Sequence, residues 1–151
     1  MKLRHPTTSA LALIFASACS PMYVIRAGIA EASVEADDIT GTWTATSMLL
    51  TQTAGPNATG NPVVDEGAVL TLVLNANGTY AFTFVSAPEN EAEAGTYTVS
   101  GSTVTITRTG GTAESFGIER NVDTMTLTGD ASSDFGSGTE EAASMVITLT
   151  R

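Results

Sequence analysis

From residue 42 onward, apolar and polar positions alternate in short runs, and residues 67–84 carry the clearest pair. Leu70, Leu72 and Leu74 alternate with Val69, Thr71 and Val73; beyond Asn77-Gly78, Tyr80, Phe82 and Phe84 alternate with Thr79, Ala81 and Thr83. A period of two on both sides of Asn-Gly predicts a β-hairpin with one aliphatic and aromatic face. Similar runs occupy residues 42–51, 95–99, 103–108, 113–120, 124–128 and 144–151, giving about eight strands. In the first of these, Trp43, Ala45, Ser47 and Leu49 are expected on one face. Threonine fills alternate positions at 103, 105 and 107 and again at 124, 126 and 128. A β-branched, hydroxylated residue suits an exposed pleated face.

No helical period of any length follows residue 18. Sequential strands joined by tight turns predict an all-β, antiparallel up-and-down barrel of about eight strands, because closure removes the exposed edges of a meander. A two-sheet sandwich with Greek-key crossings is the alternative architecture. Longer segments at 53–66, 86–94 and 129–142 are read as loops, the last two acidic. Function is expected there or at the barrel end they surround.

The N-terminus changes the picture from a bare domain to an exported one. Lys2 and Arg4 precede an apolar run at 10–18 that ends in Ala16-Ser17-Ala18. That run is shorter than the roughly 20 residues a membrane-spanning helix needs, so residues 1–18 are expected to be a signal peptide. Cys19, the only cysteine, follows at once. This junction resembles the bacterial lipoprotein signal, in which cleavage leaves an acylated N-terminal Cys, although Ala16 stands where that signal usually has a larger aliphatic residue. The resemblance implies a membrane-anchored lipoprotein of the bacterial envelope, on the outer-membrane or periplasmic face. Ordinary secretion, with cleavage after Ala18 or near Ala30 or Ala32, is the alternative. Residues 19–38 read as an acidic, flexible tether and residues 39–151 as the barrel domain. A single cysteine permits no internal disulfide, so packing must hold the fold.

The chain carries 6 basic and 16 acidic residues, net −10. Loss of Lys2 and Arg4 with the leader leaves 4 basic against 16 acidic, net −12. Such a surface repels phosphate backbones and anionic headgroups, so nucleic acid is not expected as a partner and membrane attachment must come from acyl chains. His5, the only histidine, leaves with the leader. Without His or an internal Cys, the usual hydrolase triads and zinc sites are unavailable; no enzyme activity and no cofactor are expected. Most carboxylates fall in predicted loops or the tether, where a solvated charge is the plainer reading. Glu114 and Glu119 differ by an odd number and are expected on opposite faces of one strand. Asp130, Ser132, Asp134, Gly136, Gly138 and Glu141 fall at positions 1, 3, 5, 7, 9 and 12 of a calcium-loop spacing, but Phe135 stands where that loop needs Gly. Asp130, Asp134 and Glu141 are therefore a weak calcium candidate, and no metal is expected.

Ile39-Thr40-Gly41-Thr42-Trp43 resembles the Gly-x-Trp signature of lipocalins. Residues 74–80, 95–99 and 123–127 are similar to the recurring hairpins of bacterial lipocalin-like lipoproteins. The resemblance spans nearly all of residues 39–151. It implies that Gly41 and Trp43 close the base of the barrel, with Arg151 or Arg120 over the tryptophan. The chain is shorter than full-size lipocalins, lacks a disulfide and shows no C-terminal helix.

Strands of six to eight residues at about 3.3 Å each span roughly 20–26 Å. Tilted by about 40°, they make a barrel roughly 15–20 Å tall. Its aromatics are expected to fill most of that bore and leave a shallow apolar cup at Tyr80, Phe82, Phe84, Tyr97 and Phe116. The leading expectation is a monomeric, non-catalytic, lipid-anchored barrel that takes a small hydrophobic ligand. The alternative is a protein-interaction or protease-inhibitor-like barrel with a packed core, acting through its loops and tether.

Overall fold

The computed structural model describes residues 34–87 and 89–151. The expected signal peptide, Cys19 and most of the expected tether lie outside the described residues. Two short helical pieces, a 3-10 turn at Ala36–Ile39 and α1 at Pro62–Asp65, accompany nine strands. These are β1 (Gly41–Gln52), β2 (Thr59–Gly60), β3 (Val69–Leu74), β4 (Thr79–Ser86), β5 (Glu89–Ser100), β6 (Thr103–Arg108), β7 (Ala113–Asn121), β8 (Thr124–Ser133) and β9 (Glu141–Thr150).

Each of β3 to β8 pairs antiparallel with the next, and β1 pairs with both β3 and β9. The sheet therefore closes into an eight-stranded up-and-down barrel, and β2 is a two-residue addition on the flank of β1. The sandwich alternative is excluded by the β1–β9 ladder.

The hairpin of residues 67–84 forms β3 and β4 with the register expected from its alternation. Leu70 faces Phe84, Leu72 faces Phe82 and Leu74 faces Tyr80. The Gly78 amide donates to the Asn75 carbonyl at 3.0 Å and Gly78 takes φ +78°. Glycine meets that left-handed geometry without a Cβ penalty, as a turn with a trailing bulge requires. Inward side chains make the core. Trp43, Ile39, Leu70, Ile118, Met125, Leu149 and Val104 are its largest fully buried members, whereas Val69 and Val85 face outward.

Three features depart from the alternation pattern. In β1 the register shifts between Ala45 and Ser47. This bulge exchanges the faces beyond it, so Leu50 and Gln52 are buried and Leu49 is 41% exposed, against the expected inward Leu49. Strand β5 begins at Glu89 rather than Gly95, and β8 and β9 reach Ser133 and Glu141, so the expected 86–94 and 129–142 loops are largely strand. Residues 34–38, assigned from sequence to the tether, pack onto the domain. The Val34 amide donates to the Gly101 carbonyl at 3.2 Å, and Val34 lies against the core.

The wall is uneven at two seams. β1 pairs with β3 only through residues 41–44. Farther along, that edge is covered by β2 and by Asn61, whose side chain accepts from the Met48 amide at 3.0 Å and donates to Ser47 Oγ at 2.8 Å. At the other seam, β7 pairs with β8 from Asn121↔Thr124 only as far as Gly117↔Thr128. Beyond that point the two strands diverge, and residues 113–116 have no partners on β8.

Candidate ligand site

The two ends of the barrel differ in chemistry. At the base, Trp43 is fully buried and its indole N–H donates to the Ile39 carbonyl at 2.7 Å. The Arg151 guanidinium lies 4.8 Å from the Trp43 ring centre, within cation–π range. Arg151 also donates to the carbonyls of Thr40 at 3.2 Å and Val122 at 3.3 Å. Arg120 instead donates to the Val122 carbonyl at 2.9 Å and lies 4.0 Å from Asp38. Of the two arginines considered from sequence, it is Arg151 that covers the tryptophan. Gly41 opens β1 on the exposed side of this base.

Above the base the barrel holds a cavity of about 390 Å³. Its walls are apolar, with Leu70, Leu72, Phe82, Ile106, Phe116 and Met145 among them. The expected filled bore is thus corrected: the interior exceeds the roughly 300 Å³ at which ligand pockets begin. Glycines on neighbouring strands make room for two of the rings in its wall. Tyr80 pairs with Gly95, and a Cβ on Gly95 would lie 2.9 Å from the Tyr80 ring. A Cβ on Gly129 would lie 2.5 Å from the Phe116 ring, so Phe116 packs closely against Gly129 of β8 where the seam opens.

Of the residues expected around an apolar cup, Tyr80, Phe82 and Phe116 line this cavity. Tyr97 does not: it is buried nearer the base, and its hydroxyl donates to the Asn75 carbonyl at 2.9 Å. Phe84 packs against the core without lining the cavity.

The mouth is where sequence reasoning missed most. Glu91 and Glu93 were read as loop carboxylates, yet both stand on β5 in phase with buried Tyr97 and line the cavity. Arg108 ends β6 and Glu114 begins the inward face of β7, in phase with Ile118. Arg108 Nε lies 2.9 Å from Glu93 and its Nη2 3.3 Å from Glu114. Burial pushes the Glu93 carboxyl above the ordinary range; Arg108 opposes the shift, and Glu91 and Glu114 add to it. Tyr80 is 2% exposed, and its hydroxyl has no hydrogen-bond partner. Burial, then the Glu93 charge, raises its proton affinity. The signal that could have located this rim was parity: Glu91 and Glu93 continue the odd-numbered face of Tyr97 and Val99.

Beside Phe116 the mouth continues into a side groove between the diverging β7 and β8, with Glu114, Ser115, Asp130 and Ser132 on its walls. The calcium spacing does not assemble a site. Asp130 lines the groove, whereas Asp134 accepts from the amides of Gly136 at 2.8 Å and Gly138 at 3.0 Å. Glu141 accepts from the Gln52 side chain at 2.7 Å. Among the described residues no three acidic, His or Cys side chains gather as a metal site would require.

Comparison with families of known proteins now bears on this geometry. The model of the lipocalin-like domain family matches residues 39–131, from the end of the 3-10 turn before the Gly-x-Trp strand to near the end of β8. The chain belongs to the lipocalin-like domain family. Comparisons with curated proteins and with solved structures give no match. The lipocalin-like barrel accounts for both ends seen here, a tryptophan-plugged base and an apolar cavity opening at the opposite end.

Proposed function

We propose that this lipocalin-like protein is a non-catalytic carrier or receptor for a small, largely apolar molecule. The observation that carries the reading is the 390 Å³ cavity inside the barrel, apolar along its walls and polar only at its mouth. At about 30 Å³ for each water-sized unit, that space suits a ligand of roughly a dozen non-hydrogen atoms. In this proposal the protein works at a bacterial envelope membrane, held by acyl chains on Cys19. Each buried methylene contributes about 0.8 kcal/mol, so two or more chains hold firmly against an acidic surface.

Native mass spectrometry of protein purified from its own host tests the binding role. The expected result is a fraction carrying a small molecule that is lost on denaturation. An empty barrel that also takes up no apolar probe in titration would overturn it. For the anchor, Cys19→Ser is expected to release the protein from the membrane fraction; unchanged fractionation removes the lipoprotein part of the proposal.

A further inference from the structure

Resting on that reading, the charge arrangement at the mouth narrows the ligand's chemistry. Three inward-phased carboxylates, Glu91, Glu93 and Glu114, line the cavity with one cation, Arg108. Arg108 is already spanned by Glu93 at 2.9 Å and Glu114 at 3.3 Å. Its guanidinium is therefore occupied rather than offered to an incoming anion, and a surplus of negative charge remains beside apolar walls. Asp130, on the rim, adds to that surplus. Glu93 is half-buried, so its charge acts more strongly than in bulk water, whereas Glu91, Glu114 and Asp130 are exposed and add to the local potential through solvent.

A second, independent observation points to an occupant. Tyr80 lines the same cavity, and its hydroxyl is buried and has no partner. Buried phenols usually find one. A phenolic oxygen accepts a hydrogen bond as readily as it donates one, so a donor entering from the cavity would satisfy it.

We propose that the cavity takes an apolar molecule carrying a protonated amine, its body against Leu70, Leu72 and Phe82 and its ammonium among Glu91, Glu93 and Glu114. An ammonium has donors only, which matches a rim of acceptors. It reduces the negative surplus that Arg108 alone leaves. A fatty acid of the same length would set its carboxylate against three others.

Isothermal titration of the full folded protein at pH 7 with decylamine, decan-1-ol and decanoate tests the assignment. The three probes share a chain and differ in head charge, and the amine is protonated at that pH because its proton affinity is that of a lysine side chain. Decylamine is expected to bind about tenfold more tightly than decan-1-ol, the size of one charge-assisted contact, with decanoate weakest. Equal or tighter binding of decan-1-ol or decanoate overturns the amine assignment and leaves the apolar-ligand reading standing. Absence of binding by all three overturns both. The double substitution Glu93→Gln with Glu114→Gln frees Arg108, so the preference is expected to reverse toward decanoate. Retention of the decylamine preference in that variant, with its fold verified by circular dichroism, also counts against the proposal.

Discussion

Tyr80 is the residue whose energetics most separate structure-building from binding. Its ring fills the space above Gly95 and lies opposite Leu74, a packing role that any aromatic would serve. Its hydroxyl does nothing for the empty barrel, because the group is buried without a partner. An unsatisfied buried polar group costs about 1–3 kcal/mol. Tyr80→Phe is therefore expected to stabilise the ligand-free protein by about 1 kcal/mol, measured as a higher urea midpoint with an unchanged slope. A loss of similar size, the ordinary result of deleting a partnered hydroxyl, would contradict the geometry described. Tyr97 is the internal control: its hydroxyl holds the Asn75 carbonyl at 2.9 Å, so Tyr97→Phe is expected to destabilise.

At the scale of the strand, the two seams of the barrel show how local sequence decides where the wall is sealed. The β1–β3 seam is covered by a loop whose Asn61 supplies hydrogen bonds to Met48 and Ser47. At the β7–β8 seam the Phe116 ring packs against Gly129 of β8. The Ile118 amide donates toward β6, to Ser102, so the odd-numbered amides of β7 point toward β8. Glu119 pairs with Thr126 there, whereas Ser115 lies beyond the last pair, Gly117↔Thr128. Hydrogen exchange is expected to be slower at the Glu119 amide than at the Ser115 amide by orders of magnitude, since local opening governs protection. Equal protection would mean that the seam is closed in solution.

The same strands explain what the sequence could and could not reveal. Leu70, Leu72, Leu74 and the aromatics after Asn77-Gly78 disclosed their register because every second residue is apolar. Glu91 and Glu93 concealed theirs because they face the mouth, where polar side chains occupy inward positions and hydrophobic alternation stops. The β1 bulge was equally hidden: nothing in Ala45-Thr46-Ser47 marks an extra residue, and Leu49 and Leu50 are chemically alike. The barrel was legible from its core-facing half, and its rim was not.

Over the whole domain, charge is divided between the ends. Beyond residue 33 the only cations in the chain are Arg108, Arg120 and Arg151, set against 15 of the 16 acidic residues. Two of the three work at the base, where Arg151 covers Trp43 and Arg120 lies near Asp38. The mouth keeps Arg108 alone among Glu91, Glu93, Glu114 and Asp130. Self-repulsion of this kind opposes the compact state, and salt relieves it because most of these charges are exposed. Raising sodium chloride from 0.01 to 0.15 M shortens the screening length from about 30 to about 8 Å. If relief amounts to about 1 kcal/mol, the melting temperature rises by about 5 °C for a domain of this size. Differential scanning calorimetry across that range is expected to show the rise, followed by a plateau once the screening length falls below the spacing of the rim carboxylates. A melting temperature that falls with salt would mean that the ion pairs of Arg108 and Arg120, rather than the surplus of carboxylates, dominate the electrostatics of the fold. Because screening also weakens attraction of a cation to the mouth, salt is expected to act in opposite directions on the empty barrel's stability and on its affinity for decylamine. That opposition locates both effects in the same surplus charge.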